Sequence, residues 1–215
     1  MTTLDIFSDP VCPFCLIGKA RLERALAVRP DHGFSVVWHP FQLNPTMPKA
    51  GLSRADYLEA KFGQAGAVKM TQQIMDICKA EGIELNILGV LRQPNTLDAH
   101  RLIHWAGLEE RQGPVVDAIM RAFWVEGRDI GDATVLAEIA QSCGMERAMV
   151  ERLLASEADI DEITTRDQYA RQRGIKAVPT FVINNQHAVE GAQPAELWLK
   201  VIEDLQGVAP SLSKQ

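Results

Sequence analysis

Residues 9–15 of the chain read DPVCPFC, and this stretch decides the fold. It follows Thr3–Ser8, whose partly alternating pattern is typical of a β-strand, and it precedes a long amphipathic pattern that predicts a helix. Pro13 then falls in the first helical turn, where its missing N–H loses no hydrogen bond. Cys12 and Cys15 are therefore expected at the start of a helix, one turn apart.

This position indicates redox chemistry. The free N–H groups and the positive dipole end of a helix favour an anion at its amino terminus, and the reactive form of cysteine is the thiolate. Cys12 is the expected nucleophile. Cys15, which faces back along the helix toward the core, is expected to be less exposed and to resolve a mixed disulfide.

A second signal lies far downstream, at Val178-Pro179. A proline at the first position of a predicted strand is a candidate for a cis peptide bond, although a trans proline on an edge strand fits the pattern equally well. The presence of Cys12 and Cys15 in the same chain favours the cis form.

The order of predicted elements indicates one α/β domain with helices inserted into it. A second strand is predicted at Phe34–Phe41, and from about Ser53 to Gly174 only helix signals are found. Strands return at Val178–Ile183 and His187–Val189, before a last helix. The predicted organisation is a thioredoxin-like domain at 1–45 and 161–215, with an inserted all-α domain at 46–160.

Composition excludes several classes. The chain has 215 residues, 47% of them hydrophobic, and a net charge of -6 without a basic cluster, so neither nucleic-acid binding nor a need for structural disulfides is expected. No apolar run is long enough to span a bilayer, and the first residues lack the basic and apolar regions of a signal peptide. The cytoplasm is the expected location.

Five stretches together resemble the DsbA family of the thioredoxin-like superfamily. They are DPVCPFC with IGK at 17–19, PNTLDAHR at 94–101, EGRDI at 126–130, VPTF at 178–181 and GAQP at 191–194. Within that family the chain resembles the FrnE-like branch, which is related to 2-hydroxychromene-2-carboxylate isomerases and kappa-class glutathione transferases. The resemblance spans nearly the whole chain and implies a thioredoxin fold with an inserted helical domain.

The resemblance also implies roles for individual residues. Cys12 would be the attacking cysteine, Cys15 the resolving one and Pro179 the cis-proline. No bound cofactor is implied, and glutathione would serve as reductant or co-substrate. Substrate-binding residues would lie beside the cysteines and on the helical loop facing the cleft, and they are Pro13, Phe14, Val178, Asn95, Thr96 and His100.

Two departures from related families matter. The strongly oxidising DsbA enzymes carry a histidine between their cysteines, whereas this chain has Phe14, so a less oxidising couple is expected. The isomerases and kappa-class transferases carry serine where this chain has Cys12, and serine cannot form a dithiol couple.

Other patterns of cysteine and histidine in the sequence do not make up a metal site. A zinc site would need a second pair of ligands, but Cys78 and Cys143 are single and far apart in the sequence. Both fall on apolar helix faces and are expected to be buried there as small hydrophobic residues. His100 and His104 share a helix face, but Arg101 stands where a zinc protease would carry its glutamate. No metal site is predicted.

Three functions are compatible with these observations. The first is a thiol–disulfide oxidoreductase, reducing or isomerising disulfides in proteins or small thiols. The second is a glutathione-dependent isomerase or transferase acting on a small molecule in the interdomain cleft, with Cys15 incidental. The third is a chaperone or binding module independent of both cysteines. The sequence leaves open whether the chain is a monomer or a homodimer.

Overall fold

The computed structural model describes residues 1–207. The strands in that range are β1 (Thr2–Ser8), β2 (Phe34–Pro40), β3 (Leu52–Ser53), β4 (Arg92–Gln93), β5 (Thr180–Ile183) and β6 (His187–Glu190). The α-helices in the same range are α1 (Pro13–Val28), α2 (Arg54–Ala80), α3 (Leu97–Leu108), α4 (Gln112–Trp124), α5 (Ala133–Ser142), α6 (Arg147–Leu154), α7 (Ile160–Gln172) and α8 (Ala195–Leu205).

The main sheet has the strand order β2-β1-β5-β6. β1 runs parallel to β2 and antiparallel to β5, and β5 forms a hairpin with β6. Helices α1 and α8 contact each other, and the Phe181 ring of β5 meets the Trp198 ring of α8 edge-on at 4.7 Å. This is the mixed α/β fold predicted from the sequence, with helices α2 to α7 between β2 and β5 in the chain.

Helices α3, α4 and α7 all contact β2. A chain of polar contacts also joins the sheet to these helices. His39 Nε2 lies 2.7 Å from the Asp5 carboxylate, and Arg166 lies 3.1 Å from both His39 Nδ1 and His104 Nδ1. Helices α3, α4 and α7 therefore pack directly against the sheet. The boundaries at 46 and 160 stay a prediction, and the predicted last segment ends in residues 208–215, which lie outside the described range.

Local groups fix the ends of several elements. Ser53 caps α2 by accepting the Asp56 N–H at 3.5 Å, and Asp132 caps α5 by accepting the Thr134 N–H at 2.7 Å. The β5–β6 turn places two asparagines at positive φ, 49° and 56°, which asparagine tolerates better than most residues.

The expectation that no strand lies between Ser53 and Gly174 was wrong. Strands β3 and β4 form a two-stranded antiparallel sheet in which Leu52 lies opposite Gln93. Each strand has only two residues, which is too short to show alternation, and the partners are far apart in sequence. Periodicity cannot detect such a pair.

The two cysteines outside the motif, Cys78 and Cys143, differ in how deeply they are buried. Cys78 is buried in α2, as expected. Cys143 is only half-buried, contrary to expectation, because it lies at the carboxyl-terminal cap of α5 and at the edge of the core, where its Sγ lies 3.5 Å from the Pro114 carbonyl oxygen. Between residues 1 and 207, no helix has the length and apolar character needed to cross a membrane.

Candidate functional site

Cys12 lies at the amino-terminal cap of α1. Its N–H donates to the Asp9 carbonyl oxygen at 2.9 Å, and its own carbonyl oxygen accepts from the Cys15 N–H at 3.0 Å. The cap position makes no side-chain hydrogen bond to the first turn of α1. Cys12 therefore stands at the end of the helix that carries its free N–H groups and the positive end of its dipole.

The loop before β5 meets this helix end. The Val178–Pro179 peptide bond is cis, and the Cys12 Sγ lies 3.6 Å from the Val178 carbonyl oxygen. β5 begins at Thr180, two residues later than expected, so Val178 and Pro179 belong to the loop. The loop therefore presents backbone groups beside the cysteine.

Gly18 is a residue that the sequence reasoning missed. A Cβ at this position of α1 would lie 3.0 Å from Pro179 Cγ and 3.4 Å from the Ala192 backbone. Glycine therefore allows the loop to approach the helix closely. The available signal was a glycine inside a helical pattern, which carries an energetic cost and so points to a packing reason.

The two cysteines and the residues between them differ in exposure. Cys15 is 1% exposed and Cys12 is 4% exposed, while Phe14 is 37% exposed and Pro13 is half-buried. Burial raises the pKa of Cys15 well above its ordinary value, and the neighbouring Cys12 thiol raises it further. Cys15 therefore holds its proton at neutral pH. No disulfide joins Cys12 and Cys15 in this structure.

Asp9 is the second residue of importance that the sequence reasoning missed. Its side chain is buried, and its carboxylate accepts the Leu43 N–H at 2.7 Å and the Val11 N–H at 3.4 Å. Burial raises the pKa of Asp9 to about 7, against the lowering effect of these hydrogen bonds. The signal was present in the sequence, since an acidic residue stands between the first predicted strand and the cysteine motif.

The three residues expected to face the cleft lie behind the motif instead. Thr96 and His100 are both 3% exposed, so neither lines an open cleft. Asn95 is half-buried, and its amide is used locally, donating to the Met47 carbonyl oxygen at 2.6 Å and accepting the Leu97 N–H at 2.9 Å. Helix α3 is amphipathic, and its inner face turns His100 toward Asp9.

His100 and Asp9 form a close buried pair. His100 Nε2 lies 3.8 Å from Asp9 Oδ1, and the Thr96 side chain also contacts the Asp9 carboxylate. Burial lowers the pKa of His100 to about 4. At neutral pH the histidine is therefore uncharged, and Asp9 lies near the midpoint of its titration.

Trp124 fixes the loop that carries the motif. Its Nε1 donates to the Pro10 carbonyl oxygen at 2.8 Å, and its side chain is fully buried. The other three tryptophans, Trp38, Trp105 and Trp198, are buried too. Trp124 thus supports the loop from behind.

No group of three or more His, Cys, Asp or Glu in residues 1–207 is arranged to hold a metal ion. What the arrangement offers is a cysteine at a helix terminus, a second thiol beneath it and a backbone carbonyl beside it. These groups can form a disulfide and exchange it with another.

Comparison with known proteins agrees with this geometry. A family model described as a DSBA-like thioredoxin domain matches residues 3–203. The structure of a probable DsbA oxidoreductase from Streptomyces coelicolor is 32% identical, with a TM-score of 0.87 over 100% of this chain and 94% of that chain.

Two more distant structures share the fold. The cytosolic disulfide reductase DsbM from Pseudomonas aeruginosa, solved with glutathione, is 20% identical, with a TM-score of 0.69 over 95% of this chain and 99% of that chain. A 2-hydroxychromene-2-carboxylate isomerase is 17% identical, with a TM-score of 0.69 over 95% of this chain and 94% of that chain. The chain therefore belongs to the family of DsbA-like proteins with a thioredoxin fold.

Proposed function

We propose that the protein is a thiol–disulfide oxidoreductase that uses Cys12 and Cys15 as a dithiol couple. The observation that carries this proposal is the position of Cys12, at the amino terminus of α1 and 3.6 Å from the carbonyl oxygen before the cis-proline. The thiolate is the form of cysteine that attacks a disulfide, and Val178 with Pro179 offers backbone groups to a substrate chain held beside the sulfur.

Each cysteine has a distinct role in this proposal. Cys12 attacks one sulfur of the substrate disulfide and forms a mixed disulfide with it. Cys15 then attacks Cys12, which closes the internal disulfide and releases the substrate thiolate. Phe14, the exposed residue between them, supplies an apolar surface at the point where a substrate enters.

The substrate is proposed to be a disulfide in a protein or a small thiol compound. Dithiols are kept reduced in the cytoplasm, the expected location, so net reduction or isomerisation is the proposed direction. Glutathione is the proposed reductant. The cytosolic reductase solved with glutathione supports this choice as a fold-level analogy only.

A redox titration in glutathione buffers tests the proposal. The thiols of Cys12 and Cys15 are alkylated at each buffer potential and counted by mass spectrometry, with Cys143 as the internal reference. Loss of both thiols together as one internal disulfide is the expected result. A stable glutathione adduct on Cys12, with Cys15 still free, would contradict the dithiol couple and favour the glutathione-dependent isomerase or transferase.

A further inference from the structure

An open cavity lies on the face of the main sheet that is turned away from α1 and α8. Its volume is about 470 Å³, within the range of ~300–1,000 Å³ that is typical of small-molecule sites. Neither Cys12 nor Cys15 lines this cavity, so the proposed dithiol function makes no use of it. The cavity therefore needs an explanation of its own.

The alternation of side chains along β1 and β5 fixes the position of the cavity. Phe181 meets Trp198 of α8, so Phe181 and its cross-strand partner Ile6 face the α8 side of the sheet. Phe7 and Thr180 form the next cross-strand pair and therefore point to the opposite side, where both line the cavity.

Helix α7 covers only part of this side of the sheet. It contacts β2, which lies at the opposite edge of the sheet from β6. Ala188 and Glu190 of β6 stay exposed, and Val182 of β5 is half-buried. The cavity lies between these residues and α7, which contributes Arg166 and Tyr169 to its wall.

Much of the cavity wall is apolar or aromatic. Val182 and Ile175 contribute aliphatic side chains, and Tyr169, which is 56% exposed, contributes an aromatic ring. Phe7 contributes a second ring, which is stacked on His39 with the ring centroids 4.8 Å apart. Because aromatic rings pack well against one another, these walls suit a ligand with a flat apolar body.

Arg166 supplies a positive charge to the same wall. It is half-buried, and within residues 1–207 its guanidinium donates to the Nδ1 atoms of His39 and His104, at 3.1 Å each, and to no carboxylate. The Asp5 carboxylate reaches it only through His39, whose Nε2 lies 2.7 Å from Asp5. Burial lowers the pKa of Arg166, and Glu162 offsets that lowering only in part. A guanidinium has more N–H groups than two histidines can use, so donors remain for a ligand.

Two acidic residues limit the charge that the cavity can accept. Glu162 and Glu190 both line it and are exposed. A ligand with two negative charges would be repelled by these carboxylates, whereas a single carboxylate can pair with the fork of Arg166. Arg173, the other arginine of the wall, already donates to the Tyr169 hydroxyl at 3.3 Å.

We propose that this cavity is a binding site for a small aromatic monocarboxylate, whose carboxylate pairs with Arg166 while its ring contacts the apolar wall. The site is separate from the cysteines, and the inference does not depend on the dithiol function. At Thr180 the cavity reaches the residue that follows the cis-proline, and the Thr180 hydroxyl donates to the Ala177 carbonyl oxygen at 2.8 Å. A bound ligand would therefore lie beside the segment that holds the proline loop.

An NMR titration of the reduced, full-length protein with 2-naphthoate at pH 7 tests the proposal. The backbone amide signals of Val182 and Ala188 should shift in a saturable way, with a Kd of ~1 mM or lower. Signals that shift at Cys12 and Cys15 instead, or no saturable shift at all, would overturn the site.

Two analogues of the probe test the class of ligand. 2-Naphthamide keeps the ring and lacks the charge, so it should bind at least ~10-fold more weakly, a difference of about 1.4 kcal/mol. 2-Naphthyl phosphate adds negative charge and should also bind more weakly than 2-naphthoate. Equal or tighter binding of either analogue would contradict an aromatic monocarboxylate.

Two variants test opposite walls of the cavity. Arg166→Gln should weaken 2-naphthoate at least ~10-fold and leave 2-naphthamide unchanged, because only the carboxylate needs the charge. Its control is Arg152→Gln, which removes an exposed arginine of α6. Ala188→Trp fills the cavity and should abolish the binding of both compounds. Its control is His187→Trp, which adds the same ring on the other side of β6.

The outcomes are distinguishable. Arg166 also joins β2 to α3 through the two histidines, so Ala188→Trp, at an exposed position, decides the test if Arg166→Gln fails to fold. Parental affinity in Ala188→Trp, or an equal loss in His187→Trp, would overturn the site and leave the dithiol function intact. Failure of the glutathione titration to show a Cys12–Cys15 disulfide would refute the dithiol function and leave this site standing.

Discussion

The two sides of the cysteine motif, here called the front and the rear, differ in whether backbone or side-chain groups surround it. At the front, Cys12 meets a helix terminus and the Val178 carbonyl oxygen, so the groups around the sulfur are mostly backbone. At the rear, Asp9, Thr96 and His100 bring side chains from separate parts of the chain into a buried cluster. The backbone groups at the front suit a reaction that is common to many substrates. The rear ties the motif to the inserted helices through groups that titrate.

The sharpest test of the front is removal of its sulfur. Cys12→Ser should reduce turnover of a model disulfide to background, because a hydroxyl at this position cannot form the mixed disulfide. Cys15→Ser should instead trap the mixed disulfide on Cys12, detectable by mass spectrometry. Cys143→Ser is the control and should keep parental activity. Turnover retained by Cys12→Ser would mean that the front is not the reactive side.

The rear is tested by the pH dependence of stability. The pKa of Asp9 is raised from 3.8 to about 7, so its contribution is full below pH 3.8 and is lost as pH rises toward 7. The pKa of His100 is lowered from 6.5 to about 4, so its contribution is full above pH 6.5 and is lost as pH falls toward 4. The two slopes oppose each other in the parent protein.

Single substitutions should expose each slope. Relative to the parent, Asp9→Asn should gain stability as pH rises from 4 to 7, and His100→Gln should gain it as pH falls from 6.5 to 4. The change should amount to a few kcal/mol, on the scale of ~1.4 kcal/mol per pKa unit. Urea unfolding at a series of pH values measures it. Parallel curves for all three proteins would contradict the buried pair.

The contact between α1 and the proline loop offers a smaller effect. Gly18→Ala inserts a methyl group 3.0 Å from Pro179 Cγ and should destabilise the fold by about 1–3 kcal/mol, as overpacking usually does. Gly113→Ala in α4 is the matched control, since a Cβ there meets nothing within 4 Å and should be neutral or stabilising. Thermal unfolding compares the two variants. Equal melting temperatures would contradict a packing role for Gly18.

The smallest expected effect concerns the residue between the cysteines. Phe14 cannot donate a hydrogen bond to a thiolate, so Phe14→His should make the couple more oxidising by a few tens of mV, where about 30 mV corresponds to 1.4 kcal/mol. The glutathione titration reads this shift. A parent potential near −120 mV, roughly that of a strong DsbA oxidant, would contradict the premise that Phe14 gives a less oxidising couple.

The sequence was informative wherever a feature is local. The strand before the motif, Pro13 in the first helical turn, the caps at Ser53 and Asp132 and the asparagine turn are all set by neighbours a few residues away. The family was also predictable, because its motifs are short and contiguous. The β3–β4 pair escaped prediction because its two strands are brief and distant in sequence.

The same difference between local and long-range features holds for the candidate site. That Cys12 stands at a helix start with Cys15 one turn later follows from DPVCPFC alone, since helical geometry sets this spacing. The burial of Thr96 and His100, the close approach that Gly18 permits and the raised pKa of Asp9 were decided only by the tertiary structure. Desolvation and packing depend on which distant segments meet, and no local pattern in the sequence records that.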